Sequence, residues 1–129
     1  MTPDELKKRT KELALRTMEL WDSLPNTCAG NGVANQLLRS STSVGANYRA
    51  MCRARSDADF VAKTGVTLEE ADESVYWMEL IVESGMKPEQ QVAALMKEGN
   101  ELTAIFNASV HTVRQKLNKA RKPNQKSKI

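Results

Sequence analysis

The stretch Gln36–Tyr48, QLLRSSTSVGANY, decides the fold. Wound as a helix at about 100° per residue, it and its flanks separate into three stripes. Ala34, Leu37, Leu38, Ser41, Val44, Gly45, Tyr48 and Cys52 make an apolar-to-small stripe suited to a core. Arg39, Arg49 and Arg53 lie on one flank, and Gln36, Ser40, Ser43 and Asn47 on the other. A helix that only had to stay hydrated would carry Glu and Lys there, because both are better helix formers than Ser or Asn. The small polar flank therefore predicts close approach by another helix. That is a packing signal, not a catalytic one.

The same periodicity extends in both directions. Thr2-Pro3-Asp4-Glu5 offers a threonine N-cap, proline at the first helical position and glutamate at N3, as in a capping box. Leu6, Thr10, Leu13, Thr17, Leu20 and Leu24 then form a stripe that stops at Pro25, and Pro25–Asn31 reads as a loop. Ser56 with Asp57 and Asp59 starts a third helix, whose core face runs from Phe60 through Thr64, Thr67, Ala71, Val75 and Met78 to Val82. After Gly85 and Pro88 a fourth helix presents Val92, Leu95, Met96, Gly99, Leu102, Phe106, Val110, Val113 and Leu117, and should fray before Pro123. The expected helices span about 3–24, 32–55, 57–84 and 88–120, with a flexible basic tail over 121–129. Short connections between long amphipathic helices predict an antiparallel up-down-up-down four-helix bundle, an all-α fold.

A second seam on helix three, Val66, Glu70, Glu73, Trp77 and Leu80, cannot share one core with the first, and Leu15 and Met18 lie off the core stripe of helix one. Together with the flank of Ser40, Ser43 and Asn47, these residues predict subunit contacts in a homo-oligomer.

Composition narrows the function classes. In a chain of 129 residues only 5% are aromatic, so aliphatic side chains must supply the core of what is one domain by length. The longest apolar run, Val92–Met96, is too short to cross a bilayer, and Met1–Glu5 lacks the features of a signal peptide, so a cytoplasmic protein without membrane contact is expected. Cys28, in the expected loop, and Cys52, near the end of helix two, are too far apart for a disulfide if that helix is continuous. The net charge of +3 is unevenly spread: residues 1–56 hold nine Lys/Arg against five acids, 57–101 three against eleven, and 102–129 seven against none. An acidic third helix between basic partners favours assembly of the bundle. The uncompensated C-terminal charge is left for a polyanion.

Within this frame, Glu70 and Glu73 share a helix face, but a di-iron bundle needs further carboxylates and Glu-x-x-His motifs, and the chain has one histidine, His111, and no such motif. An ion pair with Arg39, within or between subunits, is the simpler reading. No nucleophile has a base in sequence context, Gly30-Asn31-Gly32 is a turn rather than a phosphate loop, and no metal or cofactor is expected. Tyr76-Trp77 reads as packing before base stacking. Arg114, Lys116, Lys119, Arg121, Lys122, Lys126 and Lys128 are the best candidates for phosphate contacts, extended by Arg49, Arg53 and Arg55 if the assembly brings them to one surface.

RSSTSVGANYR (Arg39–Arg49), S-x-x-D-F-x-x-K (Ser56, Asp59, Phe60, Lys63) and EEADESVYWMELI (Glu69–Ile81) resemble the bacterial four-helix-bundle proteins encoded in intervening sequences of large-subunit ribosomal RNA genes. The resemblance covers roughly residues 5–117. It implies a ring-like homo-oligomer, a pentamer. A more distant relative, the accessory variability protein of diversity-generating retroelements, binds nucleic acid and partners a reverse transcriptase. Glu69 and Asp72 stand where the family tends to carry basic residues, so the outside of helix three is more acidic than the pattern. The expected function is that of a non-catalytic oligomeric accessory protein binding nucleic acid, RNA before DNA. The alternative is a scaffold for a reverse transcriptase or a ribosome-associated factor.

Overall fold

A computed structural model describes the backbone of residues 1–126 and the side chains of residues 1–121. It contains four α-helices, α1 (Pro3–Ser23), α2 (Cys28–Cys52), α3 (Asp57–Glu83) and α4 (Glu89–Lys126), and no strand among the described residues.

Local chemistry sets each boundary. At the start of α1 the Thr2 hydroxyl accepts from Glu5 N at 3.2 Å while the Glu5 carboxylate accepts from Thr2 N at 2.9 Å, closing the capping box. Leu24 is extended at ψ 153°, as suits a residue preceding proline, and α1 ends there. Ser56 caps α3 by accepting from Asp59 N at 3.0 Å, and Asp59 reaches back to accept from Arg55 N at 3.0 Å. The other end of α3 closes with Gly85 at φ 80°, where Gly85 N donates to Val82 O and Met86 N to Ile81 O, each at 3.1 Å. That pair of bonds is a Schellman closure, and it requires a left-handed residue that glycine adopts without strain.

Three boundaries differ from the sequence reading. α2 ends at Cys52 rather than near Arg55, with Arg53 as its C-cap. α2 begins at Cys28 rather than near Gly32, because Thr27 supplies a cap: its hydroxyl accepts from Gly30 N at 3.0 Å. Cys28 is therefore helical. α4 continues through Pro123 to Lys126 instead of stopping near residue 120, so the segment expected as a tail is helical as far as Lys126. Residues 127–129 lie outside the described residues.

The core draws on all four helices: Leu6, Leu13 and Leu20 from α1, Leu37, Val44, Tyr48 and Met51 from α2, Ala71, Met78 and Ile81 from α3, and Leu102 and Phe106 among those from α4. Met51, not Cys52, closes the α2 stripe, and Cys52 is exposed. Polar residues enter this core because their hydroxyls bond inside their own helix. Thr10 donates to Leu6 O and Thr17 to Leu13 O, both at 2.8 Å, and Thr67 to Lys63 O at 3.0 Å. α2 and α4 each pack against both α1 and α3, while across the core the diagonal helices α2 and α4 meet through the Tyr48 and Phe106 rings. α3 and α4 approach closely at Gly99, where a Cβ would sit 2.7 Å from Val75 Cγ2.

Candidate nucleic-acid interface

One end of the molecule gathers the start of α1, the end of α2, the start of α3 and the later part of α4. The register is marked by Lys116 Nζ, 3.1 Å from Asp57 Oδ2, and by an open groove lined by Lys7, Met51, Arg55, Phe60 and Ser109. Arg53 and Arg55 occupy the α2–α3 turn immediately before Asp57. The basic segment of α4 and the helix-two arginines, far apart along the chain, thus meet within a single copy of it. No assembly is needed for that.

Arg49, Arg53, Arg114, Lys116, Lys119 and Arg121 all reach solvent. The side chains of Lys122 and Lys126, and all of Lys128, fall outside the described residues. With a rise of about 1.5 Å per residue, the helix past Lys116 projects about 15 Å beyond its last ion pair. Three further cations join this end that sequence reasoning did not assign. Lys7 and Lys11 line a shallow groove with Arg49, and Lys63 lines another with Arg53 and Arg55. No periodic signal identifies them, since any exposed lysine on an amphipathic helix looks alike until its neighbours are known.

The end is not purely basic. Asp59 accepts from Lys63 Nζ at 2.8 Å, and that bond, then the Arg55 amide, holds its carboxyl below the ordinary carboxylate range. The opposite end is acidic, with Glu19 and Asp22 on α1, Glu79 and Glu83 on α3 and Glu89 on α4 against Arg16 and Lys87.

The residues expected to be structural fall elsewhere. Arg39 bridges α2 to α3: its guanidinium lies 3.3 Å from Glu70 Oε2 and also donates to Glu73, while its Nε donates to Gln36 Oε1 at 3.1 Å. The pair is made within the chain. Burial raises the Glu70 carboxyl even with Arg39 beside it, and the bond to Glu73 raises the Arg39 guanidinium. Ser40 is fully buried, and its hydroxyl meets that of Ser74 at 3.0 Å, so the helix that approaches Ser40 is α3 of the same chain. Ser43 donates to Arg39 O at 2.7 Å and is half-buried, as are Asn47, Trp77 and Leu80. Trp77 Nε1 is buried without a hydrogen-bond partner. Leu15, Met18, Val66 and Tyr76 are exposed, and His111 is exposed. A contact that sequence reasoning missed is Arg9, whose Nε donates to Glu98 at 3.0 Å and whose terminal nitrogen lies 3.0 Å from Glu101, tying α1 to α4. Among the described residues no group of three His, Cys, Asp or Glu side chains could hold a metal ion.

The model of the 23S rRNA-intervening sequence protein family matches residues 4–108. The chain belongs to that family. The match covers nearly all of α1 and the whole of α2 and α3, and stops within α4 just before the basic segment. A crystal structure of a protein with unknown function from the S23 ribosomal protein family of Bacteroides thetaiotaomicron is similar, with 31% identity and a TM-score of 0.78. The likeness covers 86% of this chain and 99% of that one. No curated protein matches the chain.

Proposed function

We propose that this protein is a non-catalytic, homo-oligomeric accessory factor that binds nucleic acid, RNA before DNA, through the basic end of its bundle. The observation that carries the reading is the convergence of Arg49, Arg53 and Arg55 with Lys116 and the exposed helix beyond it, at the end opposite the acidic one. Lysine and arginine side chains that neutralise phosphates release counterions and give affinity without sequence readout.

The chain direction proposed is up-down-up-down. Between α1 and α2 the contacts Thr10 with Gly45 and Trp21 with Asn35 support antiparallel neighbours, since positions rise along one helix as they fall along the other. The assembly proposed is a ring, a pentamer by family resemblance. Its support is exposed apolar side chains at two different places, Leu15 and Met18 on α1 and Val66 and Tyr76 on the diagonal helix α3. Two different surfaces call for a head-to-tail contact, which closes into a ring when the rotation permits. Copies of the basic end arrayed on one ring would bind a long polyanion multivalently. The compartment proposed is the cytoplasm; both cysteines are free thiols, and no helix among the described residues is long and apolar enough to cross a membrane.

The test is fluorescence anisotropy of a structured RNA across a salt series. Arg53→Ala with Arg55→Ala, and separately Lys119→Ala with Arg121→Ala, should each weaken binding to all sequences alike. The salt slope should fall by about one for every phosphate that is no longer neutralised. Weakening confined to one base sequence, or no binding at low salt, overturns the reading. The second reading is a protein scaffold whose partner is a reverse transcriptase or a ribosome-associated factor. The unpartnered Trp77 indole N–H beside exposed Tyr76 favours it, because a buried donor left without an acceptor costs free energy that a partner's carbonyl would recover.

A further inference from the structure

At the centre of the basic end, α1 and α4 separate and leave an open groove of about 820 Å³. The volume lies within the range of about 300–1,000 Å³ common to small-ligand sites. Its floor is apolar and aromatic: Leu6, Tyr48, Met51, Phe60 and Phe106 line it, with the Tyr48 and Phe106 rings 5.8 Å apart between centroids. Polar atoms sit at its edge. Lys7 and Arg55 flank it, and neither makes an ion pair among the described residues. Asp57 also lines it, and its carboxylate is engaged by Lys116.

We propose that this groove takes one unpaired nucleotide of a bound RNA, with its base against the partly exposed Phe60 ring and its phosphates on Lys7 and Arg55. The inference rests on the nucleic-acid reading above and adds selectivity to it. An open apolar groove bordered by cations is complementary to a base and its flanking phosphates, and base–aromatic stacking tolerates any sequence. A paired base stays within its helical stack and cannot enter, so the protein should prefer bulges, loops and single strands to duplex. Burial, and then the neighbouring Cys52 thiol, push the Tyr48 hydroxyl well above its ordinary pKa.

The test compares two RNA hairpins that differ by one bulged nucleotide, titrated against the full chain at equal salt. The expected result is about tenfold tighter binding of the bulged hairpin, a fraction of what stacking one base supplies. Cys52 is exposed, at the last position of α2, and lines the groove. Phe60→Ala should remove the stacking face and bring the affinity ratio close to one, with helicity checked by circular dichroism. As a second measurement, a fluorine tag on Cys52 in a Cys28→Ser background should shift its resonance when the bulged hairpin is added and not when the paired one is. Equal affinity for both hairpins overturns the inference while leaving electrostatic binding intact, whereas no binding of either removes both. A preference that survives Phe60→Ala also overturns it. So does a fluorine shift that follows protein concentration without RNA, which would place a second copy of the chain in the groove.

Discussion

The seam between α2 and α3 and the seam between α1 and α4 solve the same packing problem in opposite ways. Where α2 meets α3, Ser40 and Ser74 are both fully buried with their hydroxyls 3.0 Å apart, and Arg39 spans the outside to Glu70 and Glu73. Small side chains let the two backbones close, and the ion pairs only border a contact already made. Where α1 meets α4, Arg9 reaches across to Glu98 and Glu101, and toward the basic end the helices part around the groove. A seam made of small residues defines shape. A seam held by a long charged side chain leaves space, and that space lies among the cations.

Added volume should separate the two seams most sharply. Ser74→Leu should destabilise the chain by about 2–3 kcal/mol, because overpacking a closed seam forces backbones and side chains apart. Ser109→Leu, at the edge of the open groove, should cost under about 0.5 kcal/mol. Urea denaturation midpoints of the two variants read the difference, and equal destabilisation would mean that the seams are equally closed.

Next in size is Gly99→Ala. Alanine is favoured over glycine within a helix by about 1 kcal/mol, so an unconstrained site would gain stability. Here the new Cβ would lie 2.7 Å from Val75 Cγ2, on a β-branched side chain with little rotamer freedom. The expected outcome is a net destabilisation of about 1 kcal/mol by the same denaturation assay. A gain would show that α3 and α4 can move apart at no cost.

Arg9→Met removes the α1–α4 bridge but keeps the apolar stem. Because the side chain is partly exposed, solvent screens the pair and a destabilisation of about 0.5–1 kcal/mol is expected, easing with added salt. Arg39→Met should have a smaller effect, since its seam is closed by Ser40 and Ser74 independently of charge.

The smallest effect is in pH dependence, where the two carboxylates have opposite signs. Asp59 is held below its ordinary value of 3.8, so its contribution is fully present above that value and is lost as pH falls through the lower folded-state pKa. Asp59→Asn should remove that acid-side dependence. Glu70 is raised above its ordinary value of 4.5 by burial, so the folded state holds the proton more tightly and stability falls as pH rises through the window just above 4.5. Glu70→Gln should flatten that window. Thermal melts of both variants between acid and neutral pH separate the two slopes.

Much of this arrangement is legible in the order of residues. Leu37, Val44 and Tyr48 recur with helical period and are buried, and Thr2-Pro3-Asp4-Glu5 forms the capping box its spacing requires. Where the reading and the fold differ inside α2, each position has its own cause. Cys52 and Met51 are adjacent, and a period alone does not say which of two neighbours at the end of a stripe turns inward. Ser40 reads as a surface for another subunit because a small polar residue carries the same pattern whether its close neighbour belongs to the same chain or a different one.

The sequence by itself determined the four helices, most of their caps, the uneven distribution of charge and the family, because each depends on residues within a few positions of one another or on motifs read in order. Tertiary structure alone decided that Arg53 and Arg55 share an end with Lys116, that Arg9 pairs with Glu98 across 89 positions, and that a groove opens among those cations. These are juxtapositions between distant segments. They follow from how far each helix runs and which face it turns to its neighbours, and no local pattern encodes that.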